Sequence, residues 1–524
     1  MNTCERHRFT TMKRTSPSTV CLLLVLLLSL RIQAAGLDEK AIDHIATRAL
    51  DAFEVPGMAV AVVRNGETIF LKGYGLRDVE RSLPITPRTY FRIGSTSKAF
   101  TSAALALLVQ EGKLGWDDRV TEHLPEFSLY DPKATQAFSV RDLLTHRSGL
   151  WSGAGDYMLW PAPSGFSRAE VIANLRHFKP VTPFGSNYAY SNALYVAAGE
   201  LIASVTGTPF ETFVQTRLMD SLGIPCFAGE VPDGAMTDAA EPYVPYQGKP
   251  LRVDRNRLIG RPPVMTAAGG ITCNAQGMAR WMSALLAGGE GVLAPRQIAE
   301  LWTGVTIMPV SRQERERDKT THRAYALGWR IADIHGFETV SHTGTLLGFH
   351  SQVMLVPAKG LGITVLTNGT NTRARSAVMQ ALLVSWLAPD ISVRDWIAEY
   401  TAPVVPPQHI PKLPETVDLP LEAYTGTYAD KWFGAITVSA REDGRLGLAS
   451  TRMPALAGEM IPRSGHEFLI KWYDPTVDAD FIARFEPGPD GTLTGLRLAS
   501  TARSSGGMSD LDVMHFLRSR DTAN

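Results

Sequence analysis

The pattern of apolar and polar positions first predicts a β-hairpin. Residues 57–75, GMAVAVVRNGETIFLKGYG, place two apolar runs around Asn65-Gly66, a dipeptide that favours a type I′ turn. Helical periodicity follows in runs that begin at Ser95, Ser139, Asn192 and Ala275. Ser139 with Asp142 three positions later has the spacing of an N-terminal helix cap. Strand patterns return in residues 325–334, 337–357 and 361–369.

Strands at both ends of residues 37–400, with helices between them, predict an α/β (α+β) unit. We expect an antiparallel sheet flanked by helices, an inserted all-helical subdomain and a cleft between the two. Residues 401–420 are dense in proline and predict a semi-rigid linker. Short alternating strands with hairpin turns in residues 421–518 predict a small antiparallel β-barrel. The charged run SRQERERDK, residues 311–319, predicts a solvated loop.

Residues 1–35 have the pattern of a cleavable signal peptide. Lys13 and Arg14 precede the apolar run TVCLLLVLLLSL, and the small residues of IQAAG follow it. The run is about half of the ~20 residues needed to span a bilayer, so an uncleaved anchor is the less favoured alternative. We therefore expect a secreted or periplasmic protein with no stable membrane insertion after the signal is removed.

Composition narrows the partners. Of the 524 residues 44% are hydrophobic, and Lys+Arg and Asp+Glu both number 52, which is typical of a soluble globular protein of zero net charge. Zero net charge argues against nucleic acid as the main partner. A small-molecule or peptide substrate is expected, and the oligomeric state is left open. Outside the signal, Cys226 and Cys273 could form a disulfide or remain two buried thiols, and no Cys/His cluster has zinc spacing.

The opening of the first of these helical runs, STSK, is where candidate chemistry starts. Ser95 and Lys98 are three residues apart and would share one face of a helix. A buried lysine of lowered pKa could take the serine proton, and the helix N-terminus could face an oxyanion. The alternative is an ordinary polar first turn, because a single S-x-x-K occurs by chance in a chain of this length.

Two further patterns occur downstream. Tyr190 and Asn192, in YAYSN, would place a phenol and an amide on one side of a turn, although aromatic packing beside a helix cap is the alternative. His342 and Gly344, in SHTG, would lie at a strand edge, where the glycine lets another backbone approach closely. A lone histidine in a strand is more often structural.

With S-x-x-K, Y-x-N and H-x-G each present once and in this order, the chain resembles the serine beta-lactamase and penicillin-binding-protein superfamily. More narrowly it is similar to the group of class C beta-lactamases, D-alanyl-D-alanine carboxypeptidases, D-peptidases and related esterases. The runs LLTHRSGL, AAGGITCNAQGMARWM and YALGW add to a likeness that covers residues 40–390. Residues 421–518 resemble the lipocalin-like domains appended to some of these peptidases.

The resemblance implies a role for each motif residue. Ser95 would be the acylated nucleophile, and Lys98 and Tyr190 would share the general base and acid work. Asn192 would hydrogen-bond the substrate and Lys98, while His342 would face Tyr190 and help to set its proton. Three positions in and next to the third motif would contact substrate: Thr343, Gly344 and Thr345. The N–H groups of Ser95 and Thr345 would form the oxyanion hole. No metal or organic cofactor is implied.

The motifs Tyr-Ser-Asn and His-Thr-Gly resemble the carboxypeptidase branch, whereas beta-lactamases of this group usually carry Lys-Thr-Gly. The resemblance therefore implies a secreted D-alanyl-D-alanine carboxypeptidase or D-aminopeptidase-like enzyme. A carboxylesterase, a weak beta-lactamase or a non-hydrolysing penicillin-binding sensor on the same machinery are the alternatives. Nearby, His146 is interpreted as structural, and the aromatic residues Trp151, Tyr157 and Trp160 either line the cleft or pack.

Overall fold

The computed structural model describes residues 37–254, 264–391, 394–401, 416–477, 479–501 and 508–519. The predicted signal peptide and residues 402–415 of the predicted linker lie outside the described residues. Within those ranges no helix is long and apolar enough to cross a membrane. The same ranges contain no group of three or more His, Cys, Asp or Glu side chains that could hold a metal ion.

A nine-stranded antiparallel sheet is the centre of the first unit. The strands of this sheet and of two small ones are β1 (Gly57–Arg64), β2 (Glu67–Asp78), β3 (Leu83–Pro84), β4 (Phe91–Arg92), β5 (Cys226–Phe227), β6 (Tyr243–Tyr246), β7 (Lys249–Arg252), β8 (Thr272–Cys273), β9 (Thr306–Ile307), β10 (Arg323–Tyr325), β11 (Arg330–Ile334), β12 (Phe337–Leu346), β13 (Phe349–Val356) and β14 (Leu361–Thr367). The order in the large sheet is β3-β2-β1-β14-β13-β12-β11-β10-β9. Strand β1 therefore pairs with its neighbour in sequence, β2, and with the distant β14.

The predicted hairpin is confirmed. Asn65 and Gly66 connect β1 to β2 with φ angles of 51° and 85°, as a type I′ turn requires. Side chains of β1 alternate between the two faces of the sheet. Val60 and Val62 enter the core under one face, and Ala59 and Ala61 enter the core under the other.

Helices cover both faces. They are α1 (Glu39–Phe53), α2 (Lys98–Gln110), α3 (Val120–His123), α4 (Pro132–Ala137), α5 (Val140–Leu144), α6 (Arg168–Asn174), α7 (Ala193–Thr206), α8 (Phe210–Val214), α9 (Asp233–Met236), α10 (Thr266–Gly269), α11 (Ala275–Leu286), α12 (Pro295–Leu301), α13 (Arg312–Arg317), α14 (Thr372–Leu387) and α15 (Trp396–Thr401). Helices α1 and α14 pack together on one face. Helices α2 to α12 lie in the chain between β3 and β9, so the inserted helical region is as predicted.

Several helix ends follow the sequence signals. The capping box of Ser139 and Asp142 starts α5, and Gly207, with φ of 65°, ends α7. The predicted loop at residues 311–319 is wrong, because α13 forms there. Ser311 caps this helix, its hydroxyl accepting from the Glu314 N–H while the Glu314 carboxylate accepts from the Ser311 N–H. The S-x-x-E pattern inside the charged run is the signal that the loop interpretation overlooked.

The third motif lies inside the sheet and not at its edge. His342 and Gly344 are in β12, which pairs with β11 on one side and with β13 on the other. The expected close backbone approach at the glycine is nevertheless present. A Cβ on Gly344 would lie 1.8 Å from the Ile93 carbonyl oxygen. The space without a side chain is thus filled by the segment just before Ser95.

The C-terminal unit is a closed barrel, as the turn spacing predicted. Its strands and one short helix are β15 (Gly426–Asp430), β16 (Gly434–Ala440), β17 (Leu446–Ser450), β18 (Ala457–Ser464), β19 (Glu467–Trp472), β20 (Phe481–Pro487), β21 (Leu493–Ser500), α16 (Asp510–Val513) and β22 (Phe516–Arg518). Gly444 and Gly491, with φ near 80°, lie in the turns between β16 and β17 and between β20 and β21. The barrel core is continuous with the core of the helical region.

Cys226 and Cys273 form a disulfide. The two residues are directly opposite each other in the β5–β8 pair. Of the two alternatives that the sequence left open, the structure therefore has the paired one.

Candidate active site

Ser95 and Lys98 lie where a short 3-10 turn, Gly94–Ser97, runs into helix α2. The spacing of three brings the side chains together, with Lys98 Nζ 3.3 Å from Ser95 Oγ. The same nitrogen donates to Asn192 Oδ1 and to the Ala268 carbonyl oxygen, each at 2.7 Å. The first motif and the asparagine of the second are thus joined.

The Lys98 side chain is fully buried. Burial disfavours the charged form and lowers the pKa of Lys98 well below its usual value. Asp156 opposes this effect on the Lys98 pKa, and Arg330 adds to it. A neutral amine has two N–H groups and one lone pair. In that form, which burial favours, the two oxygen acceptors would take both N–H groups and leave the lone pair for the Ser95 hydroxyl.

The turn that carries Ser95 packs directly on β12. Gly94 has a φ of 52°, and a Cβ there would lie 2.8 Å from the Thr345 nitrogen. Ser351, on β13, donates its hydroxyl to the Ile93 carbonyl at 2.6 Å. The backbone around Ser95 and the backbone around Thr345 are therefore held side by side, as two donors to one oxyanion would have to be.

Tyr190 lies against the lysine, with Lys98 Nζ 4.8 Å from the centre of its ring. Burial raises the pKa of Tyr190, which Arg330 and the Ser95 hydroxyl partly counteract. The Tyr190 hydroxyl oxygen is buried, and no residue that the structure describes lies at both the distance and the angle of a hydrogen bond to it. Tyr190 is thus a protonated phenol beside Ser95.

His342 is also buried, but its hydrogen bonds lead elsewhere. Its Nδ1 lies 2.8 Å from the Thr343 carbonyl oxygen, so Nδ1 carries the proton, and the Tyr325 hydroxyl donates to Nε2 at 2.8 Å. Burial lowers the pKa of His342 well below its usual value, which makes the ring neutral. The His342 and Tyr190 ring centres are 6.4 Å apart. The expected contact with the Tyr190 proton is therefore replaced by one with Tyr325.

Thr343 is not brought to Ser95. Neighbouring side chains of a strand point to opposite faces, so Thr343 faces away from His342 and Gly344. Its Oγ1 accepts a hydrogen bond of 3.2 Å from Arg330 and it lines a separate cavity behind the sheet. Thr345, by contrast, lines the cavity beside Ser95.

Asn192 connects Lys98 to a carboxylate that sequence reasoning missed. Its Nδ2 donates to both oxygens of Asp156, at 3.1 and 3.2 Å. Burial raises the pKa of Asp156 to about 7, and the neighbouring Asp510 adds to the effect. No motif marks Asp156, which is the first residue of a short 3-10 helix, Asp156–Met158, in the segment GAGDYM.

Of the aromatic side chains that follow LLTHRSGL, two line the cavity and one packs in the interior. Tyr157 and Trp160 line the cavity beside Ser95. Trp151 packs, and its Nε1 donates to Asp510 at 3.0 Å. His146 is structural in the sense expected, since its Nδ1 accepts from the Ser191 N–H at 3.0 Å.

The cavity beside Ser95 has a volume of about 610 Å³ and lies between the two units of the chain. The first unit contributes Ser95, Asp156, Tyr157, Trp160, Pro161, Ala162, Tyr190, Asn192, Thr345, Leu346, Leu347, His350 and Thr370. The barrel contributes Leu456, Thr476, Val477, Ala479, Phe481 and Ser500. Most of these side chains are apolar, so the cavity fits a substrate with an apolar group near the reacting carbonyl.

Two protein-family models together match most of the chain. The family model described as Beta-lactamase matches residues 42–384, which include every motif residue. A second model, described as a domain of unknown function (DUF3471), matches residues 411–514.

Two kinds of relatives are similar over long stretches. The Unguisins hydrolase ungD' of Aspergillus campestris is 29% identical over 489 residues, which cover 86% of this chain and 87% of the relative. Protein flp of Staphylococcus aureus (strain COL) is 26% identical over 344 residues, 63% of each chain.

Among solved structures, the octameric penicillin-binding protein homologue from Pyrococcus abyssi superposes with a TM-score of 0.60 at 20% identity, covering 92% of this chain and 100% of the other. SurE superposes with a TM-score of 0.53 at 21% identity, covering 91% and 98%. Both structures share the fold.

Proposed function

The chain belongs to the beta-lactamase family, and from that premise we propose that it hydrolyses an amide next to a D-residue, such as D-alanyl-D-alanine, through an acyl-enzyme on Ser95. The observation that carries the proposal is the buried Lys98 amine, 3.3 Å from the Ser95 hydroxyl with both its N–H groups already accepted. That arrangement prepares the serine as a nucleophile.

The proposed base is Lys98 rather than Tyr190. Burial acts on the two groups in opposite directions, lowering the pKa of Lys98 and raising that of Tyr190. Burial therefore favours the unprotonated amine and the protonated phenol, which suits Lys98 to the role of base. Lys98 takes the Ser95 proton as Oγ bonds to the carbonyl carbon.

The remaining steps follow from the same contacts. The carbonyl oxygen takes up the π electron pair and becomes an oxyanion between the N–H groups of Ser95 and Thr345. Tyr190 gives its proton to the leaving nitrogen as the C–N bond breaks, and the proton on Lys98 restores the phenol. Water then attacks the acyl-enzyme by the same route in reverse, which releases the acid and frees Ser95.

The choice of a D-peptide over a beta-lactam is supported by the Tyr-Ser-Asn and His-Thr-Gly motifs, because beta-lactamases of this group usually carry a lysine where this chain has His342. The similarity to a protein named as a hydrolase of unguisins is a further reason to expect hydrolysis. A carboxylesterase is the second candidate, which the apolar lining of the cavity favours.

Secretion is proposed as well. The basic-then-apolar pattern of residues 13–30 and the disulfide between Cys226 and Cys273 both suit an oxidising compartment outside the cytoplasm. N-terminal sequencing of the protein exported from a bacterial host should start near residue 35, and an intact N-terminus would contradict the proposal.

Steady-state turnover of three substrates tests the function: a D-alanyl-D-alanine peptide, a p-nitrophenyl ester and a chromogenic cephalosporin. We expect the peptide to be hydrolysed, with the acyl adduct found on Ser95 by mass spectrometry. Ser95→Ala should abolish turnover. The matched variant is Ser97→Ala, which removes only a hydroxyl that accepts from the Ile271 N–H and should keep it.

Turnover of the ester alone would replace the peptidase proposal with the esterase. A stable adduct on Ser95 without turnover would indicate a sensor that binds penicillin without hydrolysing it. Activity that survives Ser95→Ala would contradict the acyl-enzyme itself.

A further inference from the structure

A chain of hydrogen bonds runs from the barrel to the candidate catalytic amine. Asp510, at the start of α16, is 2% exposed and reaches into the first unit. Its Oδ1 accepts from Trp151 Nε1 at 3.0 Å and from the Gly155 N–H at 2.9 Å, and its Oδ2 accepts from the Tyr157 N–H at 3.0 Å. The two backbone donors flank Asp156. One side chain of the barrel thus fixes the backbone on both sides of Asp156.

Asp156 in turn decides which way the Asn192 amide points. The oxygen and nitrogen of an amide occupy nearly the same space, so their partners set the orientation. A carboxylate can accept from Nδ2, and Asp156 does so with both oxygens. Oδ1 is then directed to Lys98 Nζ, 2.7 Å away. With the amide reversed, Lys98 would face an NH₂ group and lose an acceptor.

We propose that Asp156 and Asp510 are positioning residues for the acylation reaction, and that the barrel is therefore a working part of the active site. Asp510 holds the backbone of residues 155–157, Asp156 orients the Asn192 amide, and the amide directs the Lys98 lone pair to Ser95. The inference rests on the proposed function, because it assigns these residues to the same amine and serine.

The charge of Asp156 adds a second effect. It favours the protonated form of Lys98, against the burial that lowers the Lys98 pKa. Asp156 carries that charge above its pKa of about 7, and without it neutral Lys98 would persist to lower pH. The charged and titratable groups around Lys98 and Asp156 are Asp510, Arg330, His146, His342, Tyr190 and Tyr195.

Two substitutions at Asp156 distinguish its role in orienting the Asn192 amide from the effect of its charge on Lys98. Asp156→Asn removes the charge and keeps one of the two oxygens that accept from Asn192. We expect its acid limb in the pH profile of kcat/KM for p-nitrophenyl butyrate to move to lower pH, with kcat at high pH within about threefold of the parent. Asp156→Ala removes the acceptor, and kcat should fall about 100-fold with KM changed much less.

A matched pair on α16 tests the contribution of the barrel. Asp510→Ala removes the acceptor of all three donors and should lower kcat at least about tenfold. Asp512→Asn, two residues along the same helix, alters only the side chain that accepts from the Ser509 N–H and should leave kcat unchanged. Thermal unfolding of each full-length variant establishes that it is folded.

The result that overturns the inference is a folded Asp156→Ala with kcat within twofold of the parent. An acid limb that does not move in Asp156→Asn, with equal losses of kcat in both Asp156 variants, would also overturn it and indicate a merely structural residue. If Ser95→Ala is inactive while the Asp156 variants match the parent, only this inference fails. If Ser95→Ala stays active, the proposed function fails first.

Discussion

Lys98 and the two aspartates near it show how burial acts on single groups in this protein. Burial disfavours the charged form of all three groups, so it lowers the pKa of Lys98 and raises the pKa of Asp156 and of Asp510. The pKa of Asp156 is raised to about 7 and that of Asp510 to about 6. An ordinary aspartate in the unfolded chain titrates near 3.8.

These raised values predict how stability changes with pH. Between about pH 4 and 7 the folded protein binds more protons at Asp156 and Asp510 than the unfolded chain does, so this part of the unfolding free energy falls as pH rises. We expect Asp156→Asn to lose less Tm than the parent between pH 5 and pH 7.5, since one unit of pKa shift is worth about 1.4 kcal/mol. Calorimetry at both pH values and constant ionic strength measures the difference. An equal loss in parent and variant would show that Asp156 titrates normally in the fold.

At this scale the sequence predicted the meeting of Ser95, Lys98, Tyr190 and Asn192. The prediction came from the family resemblance that the three motifs carry in combination, because each motif alone has an ordinary structural alternative. The hydrogen bonds of His342 could not be predicted, since its Nε2 is engaged by Tyr325, a residue whose motif, YALGW, carries no sign of that contact. Asp156 and Arg330 were missed because they are single charged residues outside any motif.

Among the elements, β12 and the turn at Ser95 depend most closely on one another. Gly344 leaves room for the Ile93 carbonyl, and Ser351 on β13 anchors the same carbonyl. The helix cap at Ser139 and the two-residue turn at Asn65-Gly66 were predictable because they depend on local contacts alone. The position of β12 inside the sheet was not, because strand order depends on pairings between distant segments.

Gly344→Ala should therefore be severely destabilising. Its Cβ would lie 1.8 Å from a backbone oxygen that cannot move without shifting Ser95. We expect a loss of about 3 kcal/mol or more in the unfolding free energy and little acylation by a fluorescent penicillin. Gly234→Ala is the control, since that glycine is in α9 with no atom within 4 Å of the added Cβ, and its effect should stay within about 0.5 kcal/mol. Similar stabilities for the two variants would mean that β12 and the Ser95 turn are not packed as described.

In the whole molecule, the barrel completes one wall of the cavity. Phe481 of β20 lies against Tyr157 of the first unit, with ring centres 5.9 Å apart. The sequence predicted the barrel itself but not this docking. The contact between Trp151 and Asp510 joins residues 359 positions apart, and nothing in either local sequence identifies the partner.

Removing this wall should change substrate selection. In Phe481→Ala the cavity gains room for a long acyl chain, so the ratio of kcat/KM for p-nitrophenyl octanoate to that for the acetate should rise about tenfold. Tyr473→Ala, at an exposed barrel position outside this cavity, should leave the ratio unchanged. A ratio that is the same in both variants would mean that substrate does not reach the barrel wall.

The pairing of β1 with β14 also determines when the protein can finish folding. As the chain is synthesised, β1 and β2 can form their hairpin early, but the other edge of β1 has no partner until residues 361–367 have been made. An apolar strand with an open edge tends to associate with other chains. Slower translation lengthens that interval, so we expect soluble yield to depend on chaperone supply during synthesis, and fragments that end before β14 to aggregate.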